Sequence, residues 1–157
     1  MRKLAIITIL FLSGCSEKDT DFTFYKWNIR DSYYLKFNSS DTLYCFDTFK
    51  EKNLYTILKD DERKNIQNIL DSISFPKNRT TFDSDVNDGE TYAFILKQDE
   101  NLKKVKIHTF AGPEQFWTFG RLLDEIKKKH KFIETQKKIE TSEMDSVVMT
   151  KVKFIKK

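Results

Sequence analysis

The chain is poor in the residues that define special structural classes. Among its 157 residues are only four glycines, two prolines and two histidines. So few glycines and prolines exclude collagen-like, Gly-rich and Pro-rich chains. No apolar run approaches the roughly 20 residues that a membrane-spanning helix requires. Aromatic residues, in contrast, make up 14% of the chain, which favours one ordinary globular domain with a large core.

The first fifteen residues have the order of a secretory signal. Arg2 and Lys3 are followed by an apolar segment over residues 4–12 and by the tetrapeptide Leu12-Ser13-Gly14-Cys15. This stretch resembles the signal peptide and lipobox of bacterial lipoproteins. The resemblance implies that Cys15 receives a diacylglyceryl group with acyl chains such as palmitate, that residues 1–14 are cleaved, and that Cys15 anchors the chain to membrane lipid. The expected location is the cell envelope, and the outer membrane if the host has two membranes.

Two other interpretations of this segment fit less well. The apolar stretch is too short for an uncleaved membrane helix, and a cysteine at the lipobox position argues against an ordinary signal peptide. Loss of residues 1–14 leaves 143 residues and lowers the formal charge from +4 to +2. With Cys15 lipidated, Cys45 is the remaining thiol, so no intrachain disulfide is expected. Residues 15–21 form the lipidated cysteine and a polar tether, residues 22–135 the domain, and residues 136–157 a Lys-rich C-terminal segment.

Two periodicities alternate along the domain. Aromatic and β-branched residues favour strands over residues 22–29, 33–37, 42–46, 54–58, 92–96 and 105–110. A 3.6-residue repeat after the acidic residues 60–62 predicts a helix, with an apolar stripe of Ile66, Ile69, Leu70 and Ile73. A second helix is predicted to carry Pro113 at its first position, with a stripe of Phe116, Phe119, Leu122, Leu123 and Ile126. Residues 77–90 are expected to form a loop.

Strands followed by a helix occur twice, over residues 33–73 and 91–130. The simplest arrangement is an α+β fold: an antiparallel sheet with two helices on one face, built from two strand-strand-helix units. This layout resembles small uncharacterised lipoproteins common in Bacteroidota, as do Asp88-Gly89-Glu90-Thr91-Tyr92 at the start of the second half and the helix start Gly112-Pro113-Glu114. The resemblance implies no activity, since that group has no assigned catalytic residues.

The C-terminal part is basic. Residues 127–157 contain ten lysines against four acidic residues. Apolar and β-branched residues alternate with lysines over residues 147–155. This pattern predicts either a tail or an edge strand whose lysines prevent pairing with another chain. For Lys127, Lys128 and Lys129 a solvated helix end is expected, and anionic lipid is the alternative partner. No nucleic-acid partner is expected, since an exported chain does not meet one.

The densest acidic cluster does not complete a calcium loop. Asp83, Asp85 and Asn87 have the 1-3-5 oxygen spacing of such a loop. The sixth position holds Asp88 where a glycine is needed, and the twelfth holds Phe94 where a bidentate Glu belongs. A solvated loop is therefore expected, with weak Ca²⁺ binding as the alternative.

No catalytic residue or cofactor is predicted. Cys45 and His108 are the one thiol and imidazole that could pair, but Cys45 lies within a predicted strand, where a buried thiol is commoner, and His108 is expected on the sheet surface. His130 is expected to cap the second helix. Two histidines and one thiol are too few for a Cys/His zinc site, and no Gly-rich phosphate loop occurs.

Aromatic residues are the remaining candidates for ligand contact. A cluster near the start of the domain offers a platform for sugar or peptide, and it comprises Phe22, Phe24, Tyr25, Trp27, Tyr33 and Tyr34. Trp117 lies beside the stripe of the second helix. Packing in the core or at its boundary is the expected role of both.

The expected function is that of a membrane-anchored envelope lipoprotein whose domain binds an envelope protein or an extracellular ligand without catalysis. One alternative is an envelope hydrolase that uses carboxylates such as Asp83, Asp85 or Glu90. Another is an immunity or inhibitor protein of the cell envelope.

Overall fold

A sheet of eight strands forms the centre of the computed structural model, which describes residues 20–86, 88–98 and 101–148. The strands are β1 (Thr20–Trp27), β2 (Ser32–Phe37), β3 (Thr42–Asp47), β4 (Lys52–Ile57), β5 (Thr81–Phe82), β6 (Thr91–Gln98), β7 (Asn101–His108) and β8 (Ile133–Glu134). Their order across the sheet is β5-β7-β6-β1-β2-β3-β4-β8. Neighbours are antiparallel except for β5, which is parallel to β7.

Two long helices cover one face of this sheet. They are α1 (Asp60–Ser72) and α2 (Glu114–Lys129). Side chains alternate between faces along a strand, so Phe22 and Phe24 of β1 both point toward the helices. The ring of Phe119 in α2 packs 5.4 Å from that of Phe22, centre to centre. The predicted α+β fold, with two helices on one face of an antiparallel sheet, is confirmed.

Helix α2 runs across the strands rather than along them. Its Gly120 lies so close to β6 that a Cβ atom there would approach the ring of Tyr92 to 2.3 Å. At the far end of α2, Nδ1 of His130 lies 3.3 Å from Oγ1 of Thr56 in β4. A single helix therefore buries side chains from β6, β1, β2 and β4.

A third helix covers part of the opposite face, which the sequence does not predict. Helix α3 (Ser142–Val148) places the fully buried Met144 against a small second core. The other buried members of that core are Tyr25, Tyr34, Ala93 and Ile95. The expectation of an edge strand or a tail from residue 147 is wrong for residues 147 and 148, because burial of this second face outweighs the local strand-like pattern. Residues 149–157 lie outside the described residues.

Several boundaries differ from those predicted; for example, β7 spans Asn101–His108 rather than residues 105–110. Strand β1 begins at Thr20 rather than Phe22, because Thr20 pairs with Gln98 at the start of the β1–β6 ladder. Pro113 is the N-cap of α2, one residue before the predicted first-turn position. The predicted loop before β6 contains the short strand β5, which pairs with β7.

The sheet has two distinct ends. The proximal end is defined by Thr20, where β1 begins, and by its partner Gln98. The distal end is defined by Trp27, Thr91 and His108, where β1 ends, β6 begins and β7 ends. Eight strand residues separate the two ends by roughly 23 Å at about 3.3 Å per residue.

Candidate functional site

A pocket opens at the distal end of the sheet, where two connections and the start of helix α2 meet. Residues 88–90 lead into β6, residues 109–113 connect β7 to α2, and the first half of α2 completes the wall. The cavity has a volume of about 500 Å³. Its lining consists of Asp88, Gly89, Glu90, Thr109, Phe110, Gly112, Glu114, Trp117 and Arg121. A second cavity of about 260 Å³ adjoins it on the other side of residues 88–90 and reaches Trp27 and Ile29.

A strained turn holds Phe110 at the mouth of the pocket. The amide of Ala111 donates to the carbonyl of His108 at 3.1 Å, which closes a four-residue turn. Both central residues are left-handed, with φ of 31° at Thr109 and 60° at Phe110. Turns of this kind prefer Asn and Gly, and each larger residue in such a conformation costs on the order of 1–3 kcal/mol. Phe110 is nevertheless 95% exposed, so its ring gains almost no burial in return.

The walls of the pocket pack closely against one another. A Cβ atom on Gly89 would lie 1.5 Å from Oγ1 of Thr109, so only glycine fits beside this turn. Gly112 has a φ of 90° and sits against Ile107 and Phe82. These contacts hold the connection between β7 and α2 against the segment that leads into β6.

Trp117 forms the rigid part of the wall. Its Nε1 donates to the carbonyl of Ala111 at 2.9 Å, and its ring lies 5.1 Å from that of Tyr92. Glu114 and Arg121 lie on the same helix, three residues before and four residues after Trp117, and both are exposed. The helix therefore presents an acid, an aromatic ring and a base along one side of the cavity.

A buried charge network lies beneath the pocket. Lys26 of β1 is 3% exposed, and its Nζ lies 2.9 Å from Oε1 of Glu90 and 2.8 Å from Oδ2 of Asp124 in α2. The hydroxyl of Tyr92 donates to Oε2 of Glu90 at 2.6 Å, and that of Tyr33 donates to Oδ1 of Asp124 at 2.8 Å. Both tyrosines are direct cross-strand partners of Lys26. The arrangement thus follows from the register of β2, β1 and β6.

The network favours the charged forms of its ion pair. Burial lowers the pKa of Lys26, but hydrogen bonds and charge from Asp124 and Glu90 outweigh burial and raise its pKa above the ordinary value. Burial raises the pKa of Asp124, but hydrogen bonds from Lys128, Lys26 and Tyr33 bring that pKa below its ordinary value. Burial, with the neighbouring carboxylates, raises the pKa of Tyr33 and of Tyr92. At neutral pH the network is therefore a fixed set of charges and phenol donors that holds Glu90 in the pocket wall.

The structure does not bring Cys45 and His108 together. Cys45 lies in β3 and His108 in β7, which are four positions apart in the sheet, or about 19 Å at 4.8 Å per strand. Cys45 is fully buried in the main core, and burial raises the pKa of its thiol to about 12. In His108, Nδ1 lies 2.8 Å from Oγ1 of Thr91 and Nε2 lies 2.8 Å from the carbonyl of Val86. His108 thereby ties the segment before β6 to the end of β7.

The acidic side chains of the segment before β6 do not come together in one site. Asp83 lies 3.6 Å from Nζ of Lys106, Asp85 is exposed, and Glu90 turns inward to Lys26. Asn87, the third residue with calcium-loop spacing, lies outside the described residues. Across residues 20–86, 88–98 and 101–148, no three His, Cys, Asp or Glu side chains come together as metal ligands.

Most of the early aromatic cluster is core. Phe22, Phe24 and Tyr33 are buried beneath the two long helices, whereas Tyr25 and Tyr34 are buried beneath α3. Trp27 differs, because it is partly exposed and lines the second cavity.

At the basic end of α2, Lys128 and Lys129 are exposed to solvent as expected, whereas Lys127 is largely covered. Lys127 lies 3.3 Å from Asp31, and Lys128 lies 2.6 Å from Asp124. His130 is the C-cap of α2, and its Nε2 lies 2.8 Å from Glu62 of α1. Lys129 lies 3.6 Å from Glu125, so each of the three lysines has an acidic partner within the domain.

The sequence analysis misses Lys26 and Asp124, although the sequence contains a signal for each. Lys26 lies two residues after Phe24 and four after Phe22, so it belongs to the same, core-facing side of the strand. Asp124 lies beside Leu123 and four residues after Gly120, on the buried side of α2. A lysine and an aspartate at core positions of neighbouring elements indicate a buried pair, since an unpaired buried charge is very costly.

In comparisons with known proteins, the chain matches no protein-family model, no curated protein and no solved structure. Among the described residues, no helix is both long and apolar enough to cross a membrane. Cys15 and the rest of the lipobox lie outside the described residues.

Proposed function

We propose that this protein is a lipid-anchored component of the cell envelope whose domain binds a ligand or partner at the distal pocket without catalysis. Two independent features support the proposal. The lipobox Leu12-Ser13-Gly14-Cys15 supports the anchor. The pocket around Phe110 and Trp117 supports the binding function.

The exposed ring of Phe110 is the observation that carries the binding function. A left-handed backbone and a solvent-exposed phenyl ring both reduce the stability of the folded domain. The turn nonetheless holds the ring at a cavity of about 500 Å³ whose lining also includes Trp117. Strain and exposure at one residue beside a cavity are typical of a contact residue that is buried when a ligand binds.

The pocket lies at the end of the domain that is remote from the anchor. Four residues, 16–19, separate Cys15 from the start of β1 and can span at most about 14 Å. Strand β1 then leads from the proximal end to the distal end, where the pocket opens. A domain tethered in this way presents the pocket away from the bilayer, toward an envelope protein or an extracellular ligand.

Site-specific photo-crosslinking in living cells tests the binding function. The photoreactive residue p-benzoylphenylalanine replaces Phe110 in the full chain, and it replaces Phe49 in the matched control. Phe49 is 58% exposed in the turn between β3 and β4 and lines neither of the two cavities. A discrete adduct from position 110 and none from position 49 is expected. Equal labelling from both positions, or none from position 110, would overturn the binding function.

The hydrolase alternative has less support. Glu90 lines the pocket, but its two carboxylate oxygens accept hydrogen bonds from Lys26 and Tyr92. Asp83 is held by Lys106 and does not line the pocket. The immunity or inhibitor function stays an alternative that the neighbouring genes would test.

A further inference from the structure

The charges of the distal pocket are not balanced within the domain. Lys26 compensates Glu90 from beneath. Within the described part of the chain, no cation forms an ion pair with Asp88 or Glu114. Arg121 donates to Oγ1 of Thr118 at 3.3 Å on its own helix. Two carboxylates therefore face the cavity against one guanidinium, and the pocket is acidic on a chain whose formal charge is +4, or +2 without residues 1–14.

The aromatic side chains of the pocket, like its net charge, favour a cation. Phe110 offers an exposed ring, and Trp117 is fixed by its bond to Ala111 with part of its surface in the cavity. The face of an aromatic ring carries negative potential and attracts a cation within about 6 Å of its centre, most strongly for Trp. An anion would instead meet two carboxylates and two ring faces with one arginine to offset them.

We propose that the distal pocket binds an organic cation, namely an alkylammonium group such as the end of a lysine side chain in a partner polypeptide. This inference rests on the proposed binding function and specifies its ligand. The ammonium group lies between the carboxylates of Asp88 and Glu114, and the alkyl chain packs on Phe110 and Trp117. Arg121 opposes the bound charge from the far end of the same helix face.

Fluorescence of Trp117 provides the readout. The chain has two tryptophans, so a Trp27→Phe background leaves Trp117 as the single emitter. The full lipidated chain in nonionic detergent is titrated with acetyl- and amide-capped trilysine. Capped trinorleucine, capped triglutamate and chitotriose serve as apolar, anionic and sugar probes. A saturable change is expected with trilysine alone, and it should weaken at least threefold when salt rises from 50 to 500 mM.

Charge variants test whether the pocket prefers a cation. Asp88→Asn with Glu114→Gln should weaken trilysine binding at least tenfold. The control Asp61→Asn with Glu125→Gln removes two exposed charges outside the pocket and should change it less than twofold. Arg121→Gln should strengthen binding by a few-fold, because it removes a like charge. A loss of binding in Arg121→Gln, or equal binding of trinorleucine, triglutamate or chitotriose, would overturn the cation preference.

The two proposals fail separately. A position-110 adduct in cells together with no trilysine binding would refute the cationic ligand and leave the binding function standing. Absence of both signals would refute the two together. Far-ultraviolet circular dichroism of each variant shows that the fold is retained, so a lost signal reports on the pocket itself.

Discussion

Lys26 and Asp124 form a 2.8 Å ion pair between the central strand β1 and helix α2, and both side chains are more than nine-tenths buried. The pair lies where the helix crosses the sheet, directly beneath the pocket wall that contains Glu90. It therefore connects the position of α2 to the geometry of the candidate site.

Removal of one partner of this pair should destabilise the domain strongly. Lys26→Met leaves the buried Asp124 with Lys128 as its remaining cation and removes the ion pair of the partly exposed Glu90, so we expect a loss of about 3 kcal/mol in the free energy of unfolding, the lower end of the range for a broken buried pair. The double variant Lys26→Met with Asp124→Leu should recover part of that loss. Urea denaturation followed by circular dichroism measures both. A loss below about 1 kcal/mol for Lys26→Met would show that the pair contributes little.

The same pair predicts how stability depends on pH. The pKa of Asp124 is depressed in the folded state, so its contribution is complete above the unfolded value of about 4 and is lost as pH falls toward the folded pKa. The pKa of Lys26 is raised, so its contribution is complete below about pH 10 and is lost as pH rises through the folded pKa. Urea midpoints measured from pH 2 to pH 11 should show a plateau between these limits. Asp124→Asn should flatten the acidic limb, and an unchanged acidic limb in that variant would contradict the assignment.

Stability and binding should oppose each other at Phe110. Phe110→Gly removes the strain of a left-handed phenylalanine, and we expect the domain to gain about 1 kcal/mol. The same change removes the exposed ring from the pocket, so binding should be lost. A thermal melt and the trilysine titration measure the two effects. If Phe110→Gly lowered the melting temperature, the ring would contribute to folding rather than to recognition.

The loss of stability caused by truncating a core side chain should increase with the burial of that side chain. Phe119 is 2% exposed and packs against Phe22 and Phe94, so Phe119→Ala should cost about 3–5 kcal/mol. Ile69 of α1 is only partly buried, and Ile69→Ala should cost less, at about 2 kcal/mol. Chemical denaturation of both variants tests the order. A larger loss for Ile69→Ala would place the main support of the core under α1 instead of α2.

The proposed anchor depends on one thiol. Cys15→Ala should abolish lipid attachment and leave an uncleaved or mislocalised precursor, because Cys15 is the proposed acceptor in the lipobox. Cys45→Ser, which leaves the lipobox intact, should not affect attachment. Mass spectrometry of the native protein should find a lipidated N-terminal Cys15. An unmodified mature N-terminus at another residue would contradict the lipoprotein assignment.

The main elements were predictable because their signals are local. Alternating aromatics around Phe22 and Phe24 indicate a strand with one buried face, and the spacing of Phe116, Phe119 and Leu123 indicates a helix with one buried side. Each pattern reports on neighbouring residues alone. The two long helices on one face follow from these patterns, since each apolar surface must be covered.

The C-terminal helix and the candidate site were not predictable in the same way. Met144 becomes a core residue only because Tyr25 and Tyr34 expose a second apolar face across more than a hundred residues of chain. Phe110 looks like the last residue of an apolar strand, but the turn that closes on His108 rotates it into solvent. Neither the burial of Met144 nor the exposure of Phe110 can be inferred from the residues next to it in the sequence.

The sequence by itself determined the six longer strands and the two long helices and predicts the anchor at Cys15, because spacing along the chain encodes which residues share a face. Only the tertiary structure decided that Lys26 meets Asp124 and Glu90, and that Phe110 and Trp117 enclose a pocket with Asp88 and Glu114. The physical reason is that charge pairing and cavity shape depend on distances between elements. Those distances are set by strand register and by the angle at which α2 crosses the sheet, and neither is written in the local sequence.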